Sequence, residues 1–363
     1  MVYTIDSILS NPAFITAVIN RALVTLNAAD AIDWPNYLNP AGTNPDGTFK
    51  TYFGNQTAVV VGSFIDKNSN KPIRQRHAMQ QGMGEVNALG ETYQMDNDRL
   101  DQLQILVDTL NRLGNQQAME DVVNFLADDF RQCVLAPNKR MDLMLNDLKF
   151  TGKAESRSKV DEKGVKLTTI TLPFKEGKNL FTPTAENKGA FLSFLENILP
   201  TLRQNGSDAT IMEMSRTTFR KCIVGDDEFA KSFIAKFGSA QFNPGALASP
   251  DMFNQLFENL QIPLIVRIKE VNVKLQDATM LATVPDYKIS LLPNERIGFL
   301  RHRRPYELAD RIPSKTYTVL ENDHFVATER TKEGRTMEYG AEWIVDINQP
   351  KRMGLIDLSA FKG

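Results

Sequence analysis

A burst of positive charge, Arg301-His302-Arg303-Arg304, follows an apolar, strand-like stretch ending ISLLP at 289–293. Guanidinium forks suit phosphates and carboxylates. Three chemistries fit Arg301, Arg303 and Arg304: reading a nucleic-acid sequence, lining a surface that faces nucleic acid, or pairing with carboxylates of another chain. A solvated face is the fourth reading. No recognition-helix pattern or aromatic platform accompanies the run, which disfavours the first. Histidines His77, His302 and His324 stand in separate segments with no partner at metal-ligand spacing, so each reads as solvated or structural. GMGEVNALG (82–90) has glycines like a phosphate loop, but Asn87 stands where the third glycine belongs, and the stretch opens no βαβ unit. DNDRLD (96–101) starts like a calcium loop, yet Asp101 and Val107 occupy the positions that need glycine and glutamate. It reads as a helix cap. GDDEF (225–229) offers three carboxylates, and a solvated helix start explains them. Cys133 falls on an apolar helix face. Cys222 has Arg220 and Lys221 beside it to lower its pKa, but with no base partner it reads as structural. Nothing assembles a nucleophile, a base and an anion hole. No catalytic, cofactor-binding or metal-ligating residue is assigned.

The chain that must position these residues has 363 of them, 42% hydrophobic and 24% charged, with a formal net charge of −2. A free-standing nucleic-acid binder shows a basic excess, and this chain has none. Two distant cysteines make neither a disulfide framework nor a zinc pattern and fit a reducing compartment. The first residues carry Asp6 and no basic stretch, unlike a signal peptide, and no apolar run reaches the roughly 18 residues of a membrane helix. The expectation is a soluble chain made inside a cell.

Apolar spacing predicts a helix over 5–27, then an extended arm through the Pro-, Asn- and Gly-rich WPNYLNPAGTNPDGTFK (34–50). Residues 51–95 read as a long hairpin-like loop with little core of its own, which needs a surface to lie on. A helix over 96–114 starts at an aspartate and ends at a glycine. From Gln116 to about Lys149 the apolar phase is unbroken through Pro137, which predicts one long bent helix; a break at Ala136 with Asn138 capping a second helix is the alternative. VKLTTITL (165–172) slips phase, as a bulged strand does. KGAFLSFLENILPTLRQNG predicts a helix ending at Gly206, and SRTTFRKCIVGDDEFAKSFIAKF one or two more. LIVRIKEVNVKLQD (264–277) reads as a long strand or bent ribbon, and HFVATERTKEGRTMEYGAEWIVDI (324–347) as a hairpin turning at Glu333-Gly334. The class is α+β.

Several stretches carry a family resemblance: ALGETYQMDNDRLDQL (88–103), DLMLNDLKFTGKAESRS (142–158), SDATIMEMSRTTFRKCI (207–223) and ATVPDYKISLLPNERIGF (282–299). In the last, Pro285, Ile289, Leu291, Leu292, Pro293 and Gly298 fill a P-x-x-x-V-x-L-L-P-x-x-x-x-G pattern. No single motif is specific; their order across residues 50–300 resembles the major capsid proteins of tailed bacteriophages, in particular the lambda-type capsid protein E family. The resemblance implies the Hong Kong 97 type capsid fold. Its parts would be an N-terminal arm (1–50), an extended β-hairpin loop (51–95), a helix pair with the spine helix and the first part of a peripheral domain (96–185), an axial domain (186–283), and the C-terminal part of the peripheral domain (284–363). The stretch after Phe299 is long, basic and then acidic, and departs from the family pattern.

That resemblance further implies a subunit that assembles with copies of itself, as pentamers and hexamers, into an icosahedral shell around double-stranded DNA held without sequence specificity. Scaffolding and portal proteins would be further partners, no cofactor or membrane is implied, and the protein would be made in a bacterial host's cytoplasm and end in the virion. Arg74, Arg76, Arg301, Arg303 and Arg304 become candidates for an intersubunit or DNA-facing role, the intersubunit patch being preferred for the last three. A tail-tube or decoration subunit, or a cytosolic enzyme, is the alternative; a tail-tube protein has no need of the long helix.

Overall fold

The computed structural model describes residues 2–24, 31–53, 80–157, 165–238, 249–274, 279–332 and 334–362. In chain order it begins with α1 (Ile5–Leu9), α2 (Pro12–Val24), β1 (Leu38–Gly42), β2 (Thr48–Phe53), β3 (Gln80–Glu85) and β4 (Asn87–Met95). Next come α3 (Asn97–Leu113), α4 (Gln116–Thr151), β5 (Lys153–Arg157), β6 (Lys166–Thr171), β7 (Leu180–Phe181), α5 (Phe191–Gln204) and β8 (Ile211–Met214). Then follow α6 (Arg216–Thr218), α7 (Asp227–Phe237), α8 (Pro250–Asn259), β9 (Ile265–Ile268), β10 (Asn272–Lys274), β11 (Met280–Ala282) and β12 (Lys288–Leu292). The chain closes with β13 (Gly298–Arg303), α9 (Tyr306–Ala309), β14 (Lys315–Val319), β15 (Phe325–Thr331), β16 (Gly334–Asp346) and β17 (Gly354–Asp357). These elements fall into two units, each made of separate chain segments.

The first unit takes residues 1–49, 84–143 and 299–346. Its sheet has the order β1-β13-β16-β15-β14, with β4 also paired to β16. The expected hairpin is β15–β16, running from Phe325↔Gly340 to Thr331↔Gly334; Gly334 takes the positive φ of +135° that the turn requires, and Glu333 lies outside the described residues. Two sequence expectations gain detail here. The arm expected over 34–50 is docked: Trp34, Tyr37 and Leu38 are buried and β1 joins the sheet. Residues 87–95, the end of the expected hairpin-like loop, form a nine-residue antiparallel strand of that sheet, from Met95↔Arg335 to Asn87↔Trp343.

The predicted helix over 5–27 is also two helices within its described part. Asn11 stops the first and caps the second, its Oδ1 accepting from the Ala13 amide at 3.0 Å, and Pro12 fits the first turn where no amide partner is needed. Ile8, Leu9, Ile15, Val18 and Ile19 still reach one core, with Leu103, Val107 and Leu110 of α3, Val122, Leu126 and Phe130 of α4, and Val326 and Met337 of the sheet. The α3 ends are as the sequence expects. The Asp96 side chain accepts from the Arg99 amide at 2.9 Å, and Gly114 closes the helix at φ +59°. The long helix is real: α4 runs 36 residues with Pro137 inside it.

The second unit takes residues 50–83, 144–298 and 347–363. Its sheet order is β7-β17-β12-β8-β9, with β9 parallel and β12 antiparallel to β8. Strands β8 and β12 are buried throughout almost their whole length and pack under α5, α7 and α8. The core is aromatic: the Phe253 ring lies 5.2, 5.6 and 5.9 Å from those of Phe219, Phe233 and Phe229. The long strand expected over 264–277 is two, because Lys269 donates its amide to Met214 O and the chain then leaves β8 for an antiparallel pairing of β10 with β11. The bulge expected in VKLTTITL is present. Ser156 pairs with Thr168 and Arg157 with Lys166, which leaves Leu167 as the extra residue of the β5–β6 ribbon.

A candidate charged surface and its buried supports

The basic run lies on β13, between β1 and β16 in the first unit's sheet. Strand alternation puts Arg301 and Arg303 on one face of β13, and the register sets Arg303 directly opposite Glu342 and Arg301 opposite Ile344. Arg303 closes on Glu342, and Arg301 reaches diagonally to Asp346, Nε to Oδ2 at 2.8 Å. Arg301 also lies over the rings of Phe299 and Phe49, 4.5 and 5.2 Å from their centroids. His302 points to the other face, its Nδ1 2.8 Å from Asp323 Oδ2. Arg304 is exposed and donates to Leu308 O at 3.3 Å. A cleft of about 440 Å³ opens beside it, lined by Thr43, Asn44, His302, Arg304, Tyr306 and Asp323. The structure thus neutralises two of the three arginines within the chain and leaves Arg304 at the surface. Arg74, Arg76 and His77 lie outside the described residues.

The other chemistry-bearing residues serve the fold. Asp226 caps α7, accepting from the amides of Glu228 and Phe229 at 3.1 Å, and it also accepts from the Phe191 amide at 2.9 Å; burial raises its pKa. Glu228 takes both the amide and the hydroxyl of Ser193 at 2.8 Å. GDDEF is therefore a helix start, partly buried rather than solvated. Among the described residues no three His, Cys, Asp or Glu side chains are grouped to hold a metal ion, and no helix is long and apolar enough to cross a membrane. Cys222 does not become reactive. Burial pushes its thiol up to about 11, outweighing the nearby charges of Lys188 and Lys221. Cys133 is core, and burial pushes its thiol up to about 12.

Sequence reasoning missed three arrangements. The first is a buried ion pair in the second unit: Lys149 Nζ lies 2.6 Å from Glu213 Oε2 with both side chains at 0% exposure. The second is a repair of the proline in α4. Pro137 lacks the amide that would reach the carbonyl of Cys133, four residues back, and His324 Nε2 lies 3.1 Å from that carbonyl. A carbonyl can only accept, so Nε2 carries the hydrogen. The third is a carboxylate held by three cations. Glu155 meets Lys153 at 2.9 Å, Lys166 at 3.0 Å and Arg157 at 2.5 Å, and hydrogen bonds from Lys153, then Lys166, then Arg157 hold its carboxyl down at about 2.

Two buried groups of the first unit give opposite acid responses. Burial drops the His324 imidazole to about 4 against an ordinary 6.5, so the unfolded chain takes up that proton first and stability falls as pH drops from 6.5 toward 4. Asp142 accepts from the amides of Trp34 at 2.7 Å and Asp33 at 3.0 Å, and burial lifts its carboxyl to about 6 against an ordinary 3.8. Here the folded chain takes the proton first, so stability rises as pH drops from 6 toward 3.8. Each contribution amounts to up to about 3 kcal/mol over its full span. Thermal melts between pH 7 and 4.5 are expected to show a shallower acid loss for His324→Asn and a steeper one for Asp142→Asn than for the wild type. Parallel slopes for all three would contradict the assignment.

No family model matches the chain, and no curated protein matches it in sequence. Solved structures do match. A protein described as a capsid protein of a prophage (E. coli CFT073) superposes with a TM-score of 0.54 at 10% identity, covering 96% of this chain and 99% of that one. A phage-related protein of Bordetella bronchiseptica RB50 superposes with a TM-score of 0.51 at 9% identity, covering 95% and 97%. The chain has the fold of these proteins. It is the α+β, Hong Kong 97 type capsid fold expected from the sequence.

Proposed function

We propose that this chain is the major capsid protein of a tailed bacteriophage, whose copies assemble as pentamers and hexamers into an icosahedral shell enclosing double-stranded DNA. One observation carries this reading: the fold is shared, end to end, with a protein described as a prophage capsid protein. In this reading residues 1–50 are the N-terminal arm, 51–95 the extended loop, 96–185 the spine helix with the start of a peripheral domain, 186–283 an axial domain and 284–363 the rest of the peripheral domain. Scaffolding and portal proteins are the further partners, and the virion is the destination. Arg304 is the candidate for contact with a neighbour or with DNA. Arg301 and Arg303 fix the strand that presents it, and Arg74 and Arg76 remain candidates on the loop.

The test is to express the full chain, alone and with the structural genes of its own phage, and examine it by light scattering and negative-stain electron microscopy. Closed shells, or pentamers and hexamers of one subunit, are the expected result. A small oligomer that persists under both conditions overturns the reading.

A further inference from the structure

The β5–β6 ribbon presents an unusual outer face. Alternation puts Lys153, Glu155 and Arg157 on one side of β5, and the register places Lys166 opposite Arg157 on that side. The three cations surround one carboxylate, so the face has a net charge of +2. Lys153 and Lys166 keep side-chain exposures of 53% and 47%. The bulge sets Leu167, 55% exposed, next to them. The ribbon needs neither the excess charge nor the exposed leucine to pair.

The opposite pattern stands on α3. Asp98, Asp101, Ile105 and Asp108 follow one another at helical spacing along one stripe, all exposed, with Ile105 at 65%. Gln104 donates to Asp108 at 2.7 Å, which holds that carboxylate at the surface. Two helical turns separate Asp101 from Asp108, about 10 Å. Four strand residues separate Lys153 from Arg157, about 13 Å. The acidic stripe with Ile105 in its middle is therefore opposite in sign to the net-positive ribbon face and comparable to it in length, and Leu167, at the Arg157–Lys166 end of that face, is the exposed apolar residue available to Ile105.

We propose that α3 of one copy docks on the β5–β6 ribbon of a second copy, with Ile105 against Leu167 and with Asp101 and Asp108 over Lys153, Arg157 and Lys166. The inference rests on the capsid reading and names one contact within it. The two surfaces differ, so the contact is head-to-tail: each copy that docks presents a new ribbon and a new helix, the kind of contact that closes into a ring when the rotation between copies permits. Exposed ion pairs are individually weak, so a single contact selects orientation more than it holds. Many contacts in a closed shell multiply it.

The test uses the full-length chain under the conditions in which the wild type assembles. Asp101→Lys with Asp108→Lys forms one charge reversal, Lys153→Glu with Lys166→Glu the other, and a third variant combines them. Shell yield is read by velocity sedimentation and negative stain, and folding by circular dichroism. Each reversal is expected to cut yield ~10-fold, and the combination to restore it to within ~2-fold, since the contact is complementary again. Restoration cannot come from a chain that fails to fold. Wild-type shells with unaffected reversals, or losses that the combination does not restore, overturn the contact and leave the capsid reading standing. Reversals that close normal shells but carry less nucleic acid overturn it in favour of a lining role. A wild type that never assembles overturns both.

Discussion

Replacing Glu213 by leucine is expected to destabilise the folded chain by about 3–5 kcal/mol, the largest single-residue loss predicted for the second unit. The reason is what remains. Lys149 lies in the last turns of α4, on the helix face that also carries the buried Leu145 and Leu148. Its ammonium has Glu213 on β8 at 2.6 Å and the Asn146 Oδ1 at 3.5 Å. Asn146 is itself anchored, donating to Thr283 Oγ1 at 2.9 Å. Without the carboxylate a positive charge stays in a dry site, and the helix end must shift to reach water. The pair is not thereby a large net stabiliser, because both ions lost their hydration to form it. The double variant Lys149→Met with Glu213→Leu is accordingly expected to lie within about 1 kcal/mol of wild type, or above it. Urea unfolding of both variants decides. A Glu213→Leu loss below about 1 kcal/mol would show that the ammonium finds water in place, and the buried-pair account would fail.

The second large effect is expected at His324. Alanine there removes the donor to the Cys133 carbonyl and empties a space beside the rings of Trp343 and Tyr339, whose centroids lie 5.6 and 6.1 Å from the imidazole. An unpaired buried carbonyl and a cavity together cost about 3 kcal/mol. Part of that loss depends on Pro137. In a Pro137→Ala background the new backbone amide can reach the same carbonyl, so the penalty for His324→Ala should fall by about 1–2 kcal/mol. The double-mutant cycle isolates this coupling from the cavity, which is present in both backgrounds. Additivity within about 0.5 kcal/mol would mean that the histidine is a packing residue only.

Local rules were legible where the chain writes both ends of an element close together. Asp96 and Gly114 bracket α3 in nineteen consecutive residues of sequence that carry their own cap and stop. The phase slip in VKLTTITL pointed to the bulge at Leu167. The same rules failed where two elements share a core. Ile8, Leu9 and Ile15 keep one apolar phase because α1 and α2 bury into one cluster, and that phase hid the Asn11-Pro12 break. Charge was legible as composition and not as partnership. RHRR announced cations, but Asp346 and Glu342 become their partners only through the register of β13 on β16. Lys149 read only as the approximate end of the long helix, since the carboxylate that holds it sits on a strand with no local tie to it. His324 read as a lone histidine because its reason is a proline in a distant helix.

The interleaving of chain segments sets a clock on synthesis. Met95 pairs with Arg335, Asp6 with Arg335, and β17 lies between β7 and β12, so both sheets wait for the last part of the chain. At about 5–20 residues per second the ribosome needs roughly 10–50 s to travel from the first partner of the β4–β16 ladder to the second. Through that interval neither sheet can be completed, and the chain has no finished surface to offer a neighbour. A nascent chain that still lacks residues 334–357 therefore holds both of its main sheets unfinished, however long its first 300 residues have been outside the ribosome.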